Sequence, residues 1–416
     1  MPARRPARAI VRMVPPLALV APFLLATAPA QAQRRGRPVE LPEGQGKDIV
    51  QTVCAQCHGL DRVAGDGYTR ADWVRLIGTM VELPKDQLTV VADYLAKNFP
   101  EKPKPRPVLV PGPASVSFLE WGLPTKGSRP HDPLATPDGA IWYTGMFSNK
   151  LGRVDPATGE IKEYPLKTAG SGPHGLTVDA AGNIWFTANS KGYIGKLDPK
   201  TGDITEYSVD ARDPHTPIFD HDGTLWFTAQ GANKVGRLDP RTGQVRLVTL
   251  PTPRSNPYGI VISSKGVPFF VEFGGNRIGS LDPEDMELHE WSLPDEGARP
   301  RRVAIDADDV LWYSDYARGY LGRFDPKTGQ TREWASPGGP RSRPYGIAIT
   351  YGAVWYVETG VTPNDLVRFD PKTGKMQTWA IPGGGGVVRN MMRDRDGNLV
   401  IAESGLNMVG LVKIAR

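Results

Sequence analysis

The stretch PHGLTVDAAGNIWFTANSKGYIGKLDPKTGDITEYSV, residues 173–209, reads as four short alternating strands divided by turns. GLTVD is followed by a Gly turn, NIWFT by a variable loop, YIGKLD by the hairpin DPKTG, and ITEYSV closes the unit. In DPKTG the Asp can cap the turn, Pro sets φ, and Gly takes the left-handed position that lets the hairpin close. The Asp-Pro pair recurs at 155, 198, 239, 282, 325 and 370, a period of 41 to 45 residues. Four strands per period of that length is the signature of a β-propeller blade. A β-sandwich would not hold so regular a spacing.

The blade count follows from the ends of the repeat. Six complete units run from about 130 to 381, and the chain finishes on VVRNMMRDRDGNLVIAESGLNMVGLVKI, which has three strands and lacks a fourth. That strand stands at the front of the repeat: SFLEWGLP (117–124) matches IKEYPL, LHEWSLP and TREWASP. An N-terminal strand that completes the last blade closes a ring of seven and removes the exposed sheet edges.

Strand direction sorts the loops. The DAAGN and DPKTG turns fall on one face, and the start of each first strand falls on the other, around the central channel. The first-strand positions read His131, His174, His215, Tyr258, Arg301, Tyr345 and Asn390 or Arg389. The residue after each WFT-like triplet reads Gly145, Ala188, Ala229, Glu272, Asp315, Glu358 and Glu403. Histidines, arginines and acids on one rim form a candidate site, and each histidine taken alone also fits plain turn chemistry.

The residues before the repeat are of another kind. Residues 1–32 read as a cleaved secretory signal: an Arg-rich start, the apolar run VPPLALVAPFLLATA, and AQA at 30–32. Arg4, Arg5, Arg8 and Arg12 account for four of the five net positive charges, so the mature chain is close to neutral. Nucleic acid is therefore not an expected partner, no membrane span is expected after cleavage, and the location implied is periplasmic or secreted. The only two cysteines lie in VCAQCHGL (53–60). Cys54, Cys57 and His58 form C-x-x-C-H, whose spacing lets two thiols bond one haem while the histidine sits beneath the iron. A redox dithiol usually accompanies a βαβ pattern, and zinc needs more ligands than stand here.

Helical periodicity flanks this motif. Ile49, Val50 and Val53 lead into it; 69–83 can open with Thr69 as N-cap and carries Trp73, Leu76, Ile77 and Met80; 84–99 carries Leu88, Val91, Leu95 and Phe99. Three helices around such a motif resemble a small class I cytochrome c over residues 43–100. The resemblance implies one covalent haem c with His58 and a methionine as axial ligands, and Met80 is the sole Met between the signal and residue 146. Residues 100–113, PEKPKPRPVLVPGP, hold six prolines and read as an extended linker. The expected division is signal 1–32, haem domain 40–100, linker 101–114 and propeller 115–416.

PHGLTVDAAGNIWFT with GKLDPKTGDITEY resembles the virginiamycin B lyase (streptogramin lyase) family of seven-bladed propellers, over about 115–416. That resemblance implies a Mg²⁺-dependent elimination that opens a cyclic depsipeptide at its ester bond. The family's base is a His in Glu-Pro-His-Gly, aided by a Pro-His one blade earlier, with a Pro-Tyr-Gly one blade later. Here DPHT supplies Asp213 and His215, GPHG supplies His174, and NPYG supplies Tyr258. Asp213 replaces the family's Glu, and Gln230 stands where the family has a metal-binding Glu.

Two functions are in play, with a third behind them. In the first, a haem-bearing electron-transfer protein uses the propeller rim (His131, Tyr258, Arg301, Tyr345, Glu358, Glu403) to bind a substrate or redox partner. In the second, a lyase uses His215 as base and His174 as acid, with Asp213 or Glu272 in support. The third is a propeller that binds without catalysis. An elimination moves no net electrons and gives an iron nothing to do, which favours the first.

Overall fold

The structure is a computed structural model that describes residues 39–56, 59–102 and 104–415. The signal-like segment, Cys57 and His58 lie outside the described residues. From Val116 onward the chain forms seven four-stranded antiparallel sheets arranged as a seven-bladed propeller. Blades 1 to 6 span 130–165, 173–208, 214–249, 257–292, 300–335 and 344–380. Blade 7 combines 388–414 with Val116–Gly122, whose register runs from Val116 opposite Ile414 to Gly122 opposite Met408. The ring thus closes by the N-terminal strand, as the sequence implies.

One local pattern recurs in blades 2, 3 and 5. The aspartate of the first turn accepts backbone bonds within the turn and also the indole N–H of the tryptophan six residues on: Asp179 from Trp185 and Asp220 from Trp226, both 2.8 Å, and Asp306 from Trp312 at 2.9 Å. These tryptophans are almost wholly buried between blades. The Thr of the WFT triplet ties neighbouring blades together. Thr187 Oγ1 accepts from Gly175 N at 2.9 Å and donates to the His215 carbonyl of the next blade at 2.7 Å. Thr228 donates in the same way to Tyr258 O, and Thr144 to His174 O. Gly175 is required there, since a Cβ would stand 2.3 Å from the His215 carbonyl oxygen.

The first strand of six blades, and of the completed seventh, carries a register shift near its start, as between Pro173 and Leu176 or Pro214 and Pro217. A bulge re-aims the side chains beside it. Here it falls on the residues that the sequence singles out around the channel.

Among the described residues ahead of the propeller stand four α-helices, α1 (Lys47–Val53), α2 (Asp61–Gly65), α3 (Arg70–Met80) and α4 (Lys85–Asn98). Thr69 caps α3, its Oγ1 accepting from Asp72 N at 3.1 Å. Val50, Trp73, Ile77, Val91 and Leu95 form one small core between them. The proline-rich segment is extended, as its composition implies, and it is also docked. Pro105 O accepts from Thr362 N at 2.9 Å. Val110 and Ala114 exchange hydrogen bonds with Thr378 and Gln377 on the outer strand of blade 6. The helical segment touches the propeller through Gly127 N, which donates to Thr79 O at 2.6 Å. No described helix is long and apolar enough to cross a membrane.

Candidate functional site

The bulged first strands bring His131, His174, His215 and Tyr258 into one continuous row. Successive ring centroids are 3.6, 3.8 and 3.9 Å apart. Tyr258 continues the row to Tyr345 through a short hydroxyl–hydroxyl hydrogen bond. Arg301, from the intervening blade, lies over this pair. Its guanidinium carbon is 3.9 Å from the Tyr345 ring centroid, 4.4 Å from that of Tyr316 and 4.5 Å from that of Phe273. Such stacking holds a cation by the ring quadrupoles and leaves its N–H groups available.

Sequence reasoning missed a second layer, one residue further along the first strands. Asp132 of blade 1 and Arg302 of blade 5 meet across the channel at 2.7 Å, both buried. Asp132 also accepts from Asn390 Nδ2 at 3.0 Å and pairs with His131 Nδ1 at 2.8 Å. Arg302 Nη1 reaches Thr216 Oγ1 at 3.3 Å. A signal was present. The residue after the first-strand His, Tyr or Arg is Gly in blades 2, 4 and 6 (Gly175, Gly259, Gly346), whereas blades 1, 3 and 5 have Asp132, Thr216 and Arg302 there.

The electrostatics of this layer are unusual. Burial is the main reason that the imidazoles of His131, His174 and His215 are held well below their ordinary pKa of 6.5. Arg302 adds to the effect at all three, Arg389 at the first two, and the neighbouring imidazoles at the last two. The row is therefore neutral at pH 7 and can accept protons only at a cost. Burial raises both phenols. At Tyr345 the charges of Arg301, Arg389 and Arg302 outweigh it and bring the pKa below the ordinary value, whereas Tyr258 stays above it.

The acids expected on this rim stand at the same end of their blades, each opposite the start of the first strand, but outside the channel row. Glu272, Glu358 and Glu403 end the second strand of their blades, one strand spacing away from the channel. Glu358 accepts from Ser336 and from Gly338 N at 2.8 Å, both in the segment that leads into its blade. Glu403 adjoins Glu120 of the closing strand; burial and that neighbour push it up to about 9. Glu272 is raised to about 8 by burial and Glu290, and Asp365 to about 9 by burial and Glu358. Asp315 stands at the equivalent place in blade 5 with Arg318 as partner at 2.7 Å. Three of these carboxyls stand beside a second acid of their own blade. Asp213 lies at the mouth instead, at φ 59°, bonded to Asn189 and with its carbonyl accepting from Gln230 N at 3.0 Å.

None of His131, His174, His215, Tyr258 and Tyr345 is more than 3% exposed. The accessible space lies above them, a cavity of about 1100 Å³ between the propeller mouth and the helices. One wall holds Ile49, Val53, Cys54, Leu76, Met80 and Leu83; the other includes Arg129, Phe147, Arg341, Arg343 and Arg389.

The virginiamycin B lyase family profile matches residues 114–350. The chain belongs to this family. Among solved structures, a streptogramin B lyase aligns at 27% identity and TM-score 0.66, over 72% of this chain and 98% of that one. A catalytically inactive virginiamycin B lyase from Staphylococcus aureus, solved with quinupristin, aligns at 25% identity and TM-score 0.66, over 72% and 100%. Hydrazine synthase from Kuenenia stuttgartiensis shares the fold alone, at 13% identity and TM-score 0.58 over 71% and 97%. No curated protein sequence matches. The family profile covers blades 1 to 5 and the first strand of blade 6, so membership concerns the ring and its channel row.

Proposed function

We propose that this family member is an exported haem c protein, in which the helical segment carries the haem above the propeller mouth and the propeller binds the molecule that exchanges electrons with it. The observation that supports this reading is the shared cavity. It has one sulfur-bearing, apolar wall, with Cys54 at the end of α1 and Met80 at the end of α3, and it opens directly onto the propeller. The residues would suit haem: Cys54 would supply a thiol for thioether attachment and Met80 a thioether for the iron. Met80 lines the cavity with Trp73 and Ile77 of its own helix, and it alone of the three is exposed. The cavity, at about 1100 Å³, is slightly larger than the roughly 300–1,000 Å³ usual for cofactor and ligand sites. His58 and Cys57, which complete the motif, lie outside the described residues.

When bound, the haem supplies one-electron exchange. The protein's part is to hold its ligand against the mouth and to manage protons. The neutral row His131–His174–His215 offers acceptors for a proton released on oxidation, and Asp132 fixes the orientation of His131 through its 2.8 Å contact. The test is the visible spectrum of the exported, full-length protein. A c-type spectrum that survives denaturation, loses covalent attachment in Cys54→Ala/Cys57→Ala and changes iron ligation in Met80→Ala is expected. A chain that matures without covalent haem would refute the reading.

Family membership supports a second reading, a carbon–oxygen lyase with His215 as base and His174 beside it at 3.8 Å. The residues do not suit Mg²⁺, which prefers oxygen ligands. The one group of three potential ligands among the described residues, His131, Asp132 and His174, offers two imidazoles and a carboxylate already paired with Arg302. Gln230 supplies a neutral amide at the family's metal position. Quinupristin, with and without Mg²⁺, separates the readings: a linear product formed without change in the haem spectrum favours the lyase.

A further inference from the structure

Four arginines on the propeller mouth line the cavity, and no carboxylate from the propeller lines it with them: Arg129, Arg341, Arg343 and Arg389. Arg341, Arg343 and Arg389 are paired with no carboxylate among the described residues. Arg389 Nε donates to Ser404 Oγ at 2.9 Å, and Arg343 stacks on Tyr316 at 5.8 Å. The charge reaches downward as well, since Arg389 and Arg129 help to keep His131 neutral. On the helical wall Asp72 pairs with Arg75 at 3.3 Å, and Asp66 lines the cavity together with Lys102 and Lys104, which leaves the propeller side positive.

The backbone holds two of these arginines in an uncommon conformation. The residue before the first-strand proline is left-handed in five blades, at Arg129 (φ 50°), Gly172 (58°), Asp213 (59°), Asn256 (50°) and Arg343 (53°). Glycine suits such a place, and a bulky residue there is strained. At Arg129 and Arg343 this turn carries the side chain off the strand and onto the mouth, where each lines the cavity. An aliphatic-stemmed cation in a glycine position, twice, on one rim, calls for a ligand of opposite sign.

We propose that Arg129, Arg341, Arg343 and Arg389 form a carboxylate-binding rim, with the guanidinium forks matching carboxylate oxygens in bidentate fashion. The carboxylates come either from the propionates of the haem, in which case the propeller itself helps to hold the cofactor, or from a free carboxylic acid bound against it. The inference rests on the haem reading for the first source and is independent of it for the second.

The experiment uses the full-length holoprotein, with Arg129→Gln/Arg343→Gln, the charge-retaining Arg129→Lys/Arg343→Lys, and Arg246→Gln on an outer strand as control. Two readouts are taken: the haem reduction potential, and calorimetric titration with succinate. Loss of two positive charges beside the propionates favours the ferric state. A tenfold shift in the reduction equilibrium, 59 mV downward for one electron, is expected in the Gln pair. The Lys pair should restore most of it, and the control should not move. If the source is a free acid, wild type binds succinate and the Gln pair binds it at least tenfold more weakly, with the potential unmoved in the absence of succinate. Either pattern supports the rim and identifies its source. An unmoved potential together with equal or absent succinate binding in wild type and the Gln pair overturns the proposal. Absence of haem would refute the haem reading, while the succinate arm would still decide the rim.

Discussion

Asp132→Asn should be among the most damaging single substitutions in the propeller, because of what it leaves behind. Arg302 is a buried cation whose side chain is 4% exposed, and its only carboxylate partner among the described residues is Asp132 at 2.7 Å. Its Nε has no hydrogen-bond partner, and Thr216 supplies one further contact at 3.3 Å. With Asn at 132 the guanidinium keeps a neutral acceptor and loses its counter-charge, in a channel that already holds Arg301. Two unit charges about 4 Å apart at an effective dielectric of about 20 interact by about 4 kcal/mol. Breaking a buried pair on one side costs about 3–5 kcal/mol by mutation, the same size. With a urea slope of about 3 kcal/mol/M, the midpoint should fall by about 1 M or more, with the slope unchanged. Asp132→Asn/Arg302→Met removes both charges and should recover most of the loss. Tryptophan fluorescence in urea at pH 7 measures both variants. A shift under about 0.3 M in the single variant, or a double variant no better than the single, would sink the claim that the pair is a counter-charge rather than a filler.

Three further outcomes follow from the same structure. The histidine row is neutral when folded, so its contribution is complete above pH 6.5 and is lost as pH falls through the depressed folded values. His174→Gln should therefore gain on wild type by up to about 1.4 kcal/mol per pH unit below 6.5, and a pH-independent difference between pH 7 and 5 would count against it. Glu403 is raised to about 9, so its contribution is complete below its unfolded value near 4.5 and is lost as pH rises towards 9. Glu403→Gln should thus be more favourable relative to wild type at pH 8 than at pH 5, and thermal melts at the two pH values check the sign. Thr187→Val leaves Gly175 N without its acceptor and removes the bond to His215 O, at a cost of about 1–3 kcal/mol. A neutral Thr187→Val in the same urea assay would show that the interblade hydroxyl is dispensable.

Local chemistry made the propeller readable. DPKTG, the turn aspartate and the tryptophan six residues later each act within one blade, so a 41–45-residue period shows directly in the chain. The missing last strand and its double at 117–124 announced the closure for the same reason: the pairing strand carries its own pattern. The row His131–His174–His215–Tyr258 was also legible, because one position per blade faces one axis and the ring makes those positions neighbours.

What the sequence could not decide was direction at the strand ends and pairing across the ring. Glu272, Glu358 and Glu403 follow the same triplet as the small residues of blades 1 to 3, and nothing local says that Glu290, Asp365 and Glu120 will stand beside them. Asp132 and Arg302 are 170 residues apart and meet only because blades 1 and 5 face each other across the channel. Arg129 and Arg343 look like ordinary pre-proline residues until a left-handed backbone lifts them onto the mouth beside Cys54 and Met80. The chain by itself determined the seven blades, the C-x-x-C-H motif and the histidine row, since each rests on neighbours in sequence. Only the tertiary structure decided which charges are buried together and which line the cavity, since those depend on distances that ring closure sets.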